Sequence, residues 1–129
     1  MELKILSPIV YSIKEGVETK NLDPFLGSVI HSLGYLWKAV FPADPDGLSI
    51  TSGHEGKAGD GIHMSSSKHY IQNNPTGQGR AIDLRTRDIE KKDASAKFVP
   101  MAKLMLGKDF DVVLEKDHIH IEFDPKGVV

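Results

Sequence analysis

The chain has 129 residues, no cysteine and a formal net charge of −2 at pH 7. This length suits one domain, and the lack of cysteine excludes disulfides, thiol catalysis and cysteine-ligated zinc. The charge balance offers no basic face for nucleic acid, and no stretch approaches the ~20 apolar residues of a membrane span. A bound metal would need histidine, aspartate or glutamate ligands.

The first residues of the chain lack the basic start and apolar core of a secretory signal. We therefore expect the protein to stay in the cytoplasm, where it is made, unless something else releases it. Residues 1–20 mix apolar side chains with turn formers, which predicts a short strand or an extended lead-in segment.

A helix is predicted from Pro24 to Val40. Asp23 precedes it as an N-cap, and Pro24 occupies the first turn, where its missing N–H is no loss. The apolar residues at helical spacing are Phe25, Leu26, Val29, Ile30, Leu33, Leu36, Trp37 and Val40. Pro42 ends this helix, which should be the main core element, and His31 falls outside its apolar stripe.

Two short strands are predicted next, at residues 48–52 and 80–84. Between them, residues 53–79 are rich in Gly, Ser, Asn, Lys and His and show little periodicity. A loop of this length inside a compact domain is usually functional or disordered.

A second helix is predicted from Ala94 to Leu106, with Gly107 as its C-cap. Pro100 either lies in its first turn or kinks it. Residues 110–115 and 118–123 then form a closing hairpin, and the tail after Pro125 should fray. Together these elements predict a small single α+β domain in which an antiparallel sheet packs against two main helices.

His118 and His120 alternate with apolar residues in the last predicted strand. Both therefore point to one face, roughly 6–7 Å apart, while Ile119 and Ile121 anchor the other face. The pair is either a set of metal ligands or two exposed strand histidines. Glu115, across the turn, is either a general base beside a metal-bound water or a solvated hairpin residue.

His69 and Asp83 supply the other half of a possible metal site. One is a neutral ligand and the other anionic, so with one more histidine a zinc site would carry a net charge of about +1. Such a charge lowers the pKa of a bound water towards neutrality. The alternatives are a loop histidine and a structural aspartate at a strand end.

The residues quoted so far lie in three ordered motifs: Ser67-Lys68-His69, Gly79-Arg80-Ala81-Ile82-Asp83 and Glu115-Lys116-Asp117-His118-Ile119-His120. Over about 75 residues, from 50 to 124, the chain resembles the D-alanyl-D-alanine carboxypeptidase and L-alanyl-D-glutamate endopeptidase family of zinc peptidases. These enzymes cleave bacterial cell-wall peptides, and the hedgehog signalling domain shares their fold.

The resemblance implies three zinc ligands, namely His69, Asp83 and His120. It implies that Glu115 activates water, that His118 steadies the oxyanion or shuttles a proton, and that Ser67 touches the substrate. It further implies a sheet that carries the zinc, and peptidoglycan stem peptides as substrates. Such chains are often phage-type lytic or virion proteins, which act on the wall after release or as part of a particle.

The chain departs from the family pattern in two places. Thirteen residues, 70–82, separate His69 from Asp83, which is longer than usual for the family. The additional turn-rich residues should bulge outward and leave the ligands in place, since loop length costs little free energy. In addition, His54-Glu55 stands where many members carry an arginine that polarises the substrate carbonyl. The candidates to replace that arginine in substrate binding are Arg80, Arg85 and His63.

Two other functions remain open. A zinc-containing binding or structural module of the same fold would keep the ligands without turnover. Two histidines and one aspartate also match the ferrous triad of an oxygenase, and His-x-His occurs in cupin-like proteins. The order of the ligands and the motifs around them favour the peptidase.

Overall fold

The structure is a computed structural model that describes residues 10–57, 60–61, 63–64 and 66–125. The part of the predicted lead-in before Val10 and the predicted fraying tail after Pro125 lie outside the described residues. All nine residues that the sequence singles out as site residues are described.

In the described part of the chain, five strands form one sheet in the order β1-β2-β3-β5-β4. The strands are β1 (Tyr11–Ile13), β2 (Leu48–Ser52), β3 (Ala81–Arg85), β4 (Phe110–Leu114) and β5 (His118–Phe123). Strand β1 pairs with β2 in parallel, and the other three pairs are antiparallel. A mostly antiparallel sheet with two helices is the α+β class that the sequence predicts, so that prediction is confirmed.

The first helix, α1, spans Pro24–Val40 as predicted. A carboxylate oxygen of Asp23 accepts the N–H of Phe25 at 3.0 Å, which satisfies one of the free donors at the helix start. At the other end the N–H of Phe41 donates to the carbonyl of Trp37 at 2.7 Å. Leu26, Ile30, Leu33 and Trp37 face the core.

The second helix is a succession of Lys91–Asp93 (α2), a π-helical turn at Ala94–Phe98 and Val99–Leu106 (α3). The predicted start at Ala94 is thus three residues late. The wide turn precedes Pro100, whose ring would clash with a carbonyl in the preceding α-helical turn. Gly107 ends the helix at φ 84°, as predicted. In the described ranges neither helix is long and apolar enough to cross a bilayer.

Strand β5 separates the core from the candidate site. Its residues alternate between buried and half-buried, with Ile119 and Ile121 fully buried. Burial of each such side chain contributes about 1.5–3 kcal/mol, so the strand is firmly anchored. The opposite face of the same strand carries His118, His120 and Glu122. The core therefore fixes the backbone from which both histidines project.

The long segment between β2 and β3 contains only a 3₁₀ turn, Ile71–Asn73, as regular structure in its described part. The carbonyl of Lys68 accepts the N–H of Arg80 at 3.0 Å. The amide nitrogen of Asn74 donates to the carbonyls of Lys68 and Gln78 at 3.0 and 2.7 Å. These bonds close the insertion at its base, so the ligand-bearing ends stay together, as expected for an outward bulge.

Candidate metal centre

The pairing of β3 with β5 places the site residues on one face of the sheet. Asp83 is opposite His120, and Arg85 is opposite His118. Side chains directly opposite each other on antiparallel strands share a face. A cavity of about 650 Å³ opens over this face. Its walls include seven of the nine predicted site residues, namely His63, Ser67, His69, Asp83, Glu115, His118 and His120.

His69 reaches this face from the long segment and is only 2% exposed. Its Nδ1 lies 2.8 Å from the carbonyl oxygen of Gly53, and its Nε2 lies 3.1 Å from Oδ1 of Asp83. The carbonyl only accepts, so Nδ1 must carry a hydrogen. At Nε2, either a second proton, which donates to Oδ1 of Asp83 when no metal is bound, or a metal ion must lie between the ring and the carboxylate.

His120 is held between two carboxylates. Its Nδ1 lies 3.0 Å from Oδ1 of Asp83, and its Nε2 lies 3.1 Å from Oε1 of Glu122. Burial lowers the pKa of His120, but the hydrogen bonds to Asp83 and Glu122 outweigh it and raise the pKa to about 9. Without a metal the ring is therefore an imidazolium at neutral pH, and a metal ion would have to displace a proton from it.

His118 is oriented by its neighbour in the hairpin turn. Its Nδ1 lies 2.7 Å from Oδ1 of Asp117, and its Nε2 lies 3.5 Å from Oδ1 of Asp83. The hydrogen bond from His118 lowers the pKa of Asp117. The ring thus has one nitrogen fixed at the surface and the other directed into the cavity.

Asp83 is the point at which these rings meet. Its Oδ1 is the atom approached by His69, His118 and His120. Burial raises the pKa of Asp83, yet the hydrogen bonds from His120 and His69 outweigh burial and hold the pKa well below its usual range. Asp83 is therefore an anion whose charge is offset by the surrounding imidazoles in the metal-free state.

The ring of His63 stacks on the ring of His69. The two rings stack at 4.1 Å between centroids with 5° between their planes. Ser52 Oγ donates to Glu55 at 2.6 Å, so it accepts from Nε2 of His63 at 2.9 Å. The carboxylate of Glu55 is itself fixed by the N–H of Gly53 at 2.8 Å. Burial and the charge of His69 lower the pKa of His63, which leaves a neutral ring with a free lone pair on Nδ1.

Of the remaining predicted site residues, Glu115 and Ser67 line the cavity and Arg80 does not. Glu115 is exposed on the cavity wall, and its N–H donates to the carbonyl of His118 at 2.8 Å. Ser67 also lines the cavity, but its hydroxyl accepts the N–H of His69 at 3.2 Å, which orders the ligand-bearing turn. Arg80 donates to Asp23 at 3.2 Å, away from the metal-binding face.

Ligand atoms of the site residues fall into two compact groups. One comprises His63, His69 and Asp83, and the other comprises Asp83, His118 and His120. Within each group the ligand atoms lie within 4.8 Å of one another. Nitrogen and carboxylate donors of this kind suit Zn²⁺, and histidine-rich sites also accept other transition metals.

The sequence did not point to three of the groups that orient the histidines: the Gly53 carbonyl and the carboxylates of Asp117 and Glu122. A backbone carbonyl carries no sequence signal at all. Glu122 could have been found, because it follows His120 by two residues on the same strand and so shares its face.

The fold and these side chains define a small α+β protein with a candidate metal centre at the face of its sheet. No family model, curated protein or solved structure matches the chain.

Proposed function

We propose that the chain is a zinc-dependent peptidase that hydrolyses peptide bonds in the stem peptides of bacterial peptidoglycan. One observation carries the proposal. His69 Nε2 and His120 Nδ1 both meet Oδ1 of Asp83, at 3.1 and 3.0 Å, while Glu115 lies on the wall of the same cavity. These are the residues that the three motifs select from distant parts of the chain.

The donors of the site fit zinc in kind and in charge. His69, Asp83 and His120 offer two imidazoles and one carboxylate, a set that leaves a fourth position for water or substrate. Each imidazole has its other nitrogen bound, to Gly53 in one case and to Glu122 in the other. Such outer partners fix the ring and strengthen it as a ligand.

Zinc bound there would polarise the scissile carbonyl and lower the pKa of the attacking water. Glu115 would accept a proton from that water and pass it to the leaving amine. His118, whose Nδ1 is held by Asp117, would donate from Nε2 to the oxyanion that develops. Ser67 keeps the turn before His69 in place.

Arg85 is the better candidate for the arginine that the motif region lacks. It is the register partner of His118 and so shares the face that carries Asp83. Arg80 is engaged elsewhere, since it donates to Asp23 and its guanidinium lies 5.3 Å from the ring centroid of Phe123. His63 lacks the proton needed at Nδ1, because its Nε2–H donates to Ser52. We therefore assign contact with the substrate carbonyl or carboxylate to Arg85.

Peptidoglycan lies outside the cytoplasm, so this activity requires that the protein leave the cytoplasm in which it is made. Release at lysis and delivery as part of a phage particle both meet that requirement.

The direct test is to incubate zinc-loaded protein with purified stem peptides and to follow new amino termini. Glu115→Ala should lose at least ~100-fold in rate while zinc content stays unchanged, since general-base catalysis contributes 10²–10⁴-fold. The control is Glu15→Ala, which alters an exposed glutamate that does not line the cavity and should keep full activity. The absence of cleavage by zinc-loaded wild type would overturn the proposal.

The absence of an arginine directly after Ser52-Gly53 favours one other function, a zinc-containing binding module without turnover. That module would bind zinc with the same residues and bind stem peptides without cleaving them. Zinc-dependent retention of intact peptides on immobilised protein, with no new amino termini, would identify it.

A further inference from the structure

We propose that the centre can hold two divalent cations, with the carboxylate of Asp83 shared between them. The first ion would be bound by His63 and His69, and the second by His118 and His120. This inference goes beyond the proposed function because it concerns the number of ions and not the reaction.

Its first support is the arrangement of the ligand atoms. Two groups, each of three ligand atoms within 4.8 Å of one another, have Asp83 as their common member. A site built for one ion needs three protein ligands and one open position. Here five side chains surround the same space, which suits a pair of metals bridged by a carboxylate.

The second support is that each of the four histidines has one ring nitrogen bound by an outer partner. His63 Nε2 is 2.9 Å from Ser52 Oγ, and His69 Nδ1 is 2.8 Å from the carbonyl of Gly53. His118 Nδ1 and His120 Nε2 are bound by Asp117 and Glu122 at 2.7 and 3.1 Å.

Metal-binding histidines almost always show this arrangement, because the outer bond fixes the tautomer and aims the other nitrogen at the ion. By this criterion all four histidines are equally suited to bind a metal. The motifs select His69 and His120, but His63 and His118 have the same kind of outer bond. In the form with two ions His118 is a ligand, whereas with one ion at His69, Asp83 and His120 it stays free to assist.

The third support is the charge around the site. Two divalent ions bring four positive charges, and among the described residues the cavity wall carries four carboxylates and one lysine. The carboxylates belong to Asp83, Glu115, Asp117 and Glu122, and the lysine is Lys68. Carboxylates on the wall of the same cavity would offset the repulsion between the ions.

The test is the number of zinc ions per chain. Protein saturated with zinc and desalted should contain two ions per chain by elemental analysis and by native mass spectrometry. His63→Ala should retain one. His31→Ala, which alters an exposed histidine of α1, should retain two. In the protein loaded with Co²⁺, two bridged ions about 3.5–4 Å apart should be magnetically coupled.

Saturation of wild type at one ion per chain would overturn the inference. So would two ions without magnetic coupling, or two ions in His63→Ala, since both place the second ion elsewhere, for example among Asp111, Glu122 and Asp124. If His63→Ala does not fold by circular dichroism, wild-type stoichiometry and coupling decide. A protein with one zinc that cleaves stem peptides would refute this inference and leave the proposed function standing.

Discussion

Nε2 of His69 lies 3.1 Å from Oδ1 of Asp83 across 14 positions of sequence, while Nδ1 of the same ring lies 2.8 Å from the carbonyl of Gly53. The carbonyl accepts the hydrogen bond from Nδ1–H, which is the single N–H of a neutral ring. The lone pair of Nε2 would then face the carboxylate oxygen of Asp83, and both atoms are buried. A second proton or a cation must lie between them. This relationship is the physical basis for the metal centre that we propose.

Asp83→Asn should weaken zinc binding by at least ~100-fold. The substitution removes the one anionic ligand and the only group that both sets of histidines share. Competition with a chromophoric zinc chelator measures the effect. Asp93→Asn is the control, because Asp93 lies at the end of α2 and in none of the groups of possible metal ligands, so it should leave the affinity within threefold. Equal affinities for the two variants would contradict the assignment.

The metal-free protein should become less stable as the pH rises from about 6.5 to about 9. The pKa of His120 is raised from 6.5 to about 9 by Asp83 and Glu122, despite burial. A group with a raised pKa in the fold stabilises it fully below its unfolded value, and that contribution is lost as pH passes through the folded value. The loss should be on the order of 2 kcal/mol.

Urea unfolding in the presence of a chelator measures this loss. With zinc bound, the same pH range should show a smaller loss, because the ion replaces the proton on His120. The prediction would be contradicted if the stability of the metal-free protein rose or stayed level between pH 6.5 and pH 9, the range set by the pKa of His120.

Gly53→Ala should disturb both the fold and the metal site. A Cβ at position 53 would lie 2.1 Å from the carbonyl oxygen of Glu18, so the backbone must shift. Such overpacking costs typically 1–3 kcal/mol, and the shift moves the carbonyl that orients His69. The free energy of unfolding, measured with a chemical denaturant, and the affinity for zinc should both fall.

The matched control for Gly53→Ala is Gly27→Ala in α1, where a Cβ meets nothing within 4 Å. It should raise stability by up to ~1 kcal/mol through helix propensity and leave zinc affinity unchanged. A Gly53→Ala protein with normal zinc affinity would show that the carbonyl does not position His69.

Arg80→Ala and Arg85→Ala should have opposite signatures. Arg80 forms a half-buried ion pair with Asp23 at the start of α1, so its loss should cost about 1–3 kcal/mol of stability and spare kcat. Arg85 lies opposite His118, so its loss should lower kcat/KM at least ~10-fold with little change in stability. Unfolding curves and steady-state kinetics separate the two, and the reverse pattern would move the substrate role to Arg80.

The sequence was most informative where one local cause dominates. The bounds of α1 follow from Asp23 as a cap and from a continuous apolar stripe, and the predicted range agrees with the structure. The alternation of His118 and His120 with buried isoleucines is likewise visible in the strand itself. In both cases the side-chain pattern and the backbone period agree.

The rest depends on contacts between distant segments. The early start of the second helix reflects a π-helical turn before Pro100, which relieves a clash that no periodicity reveals. The ion pair of Arg80 with Asp23 forms across 57 positions. The stack of His63 on His69 requires the folded loop. Residue types identified the candidate ligands, whereas their outer partners are set by tertiary packing.

The most direct measurement is a zinc-soaked crystal structure with anomalous scattering data. We predict zinc within about 2.0–2.2 Å of an oxygen of Asp83 and of a nitrogen of each of His69 and His120, either as one ion or as two ions that share Asp83. A zinc peak bound only by Asp111, Glu122 and Asp124, or none among the histidines at saturating zinc, would contradict it.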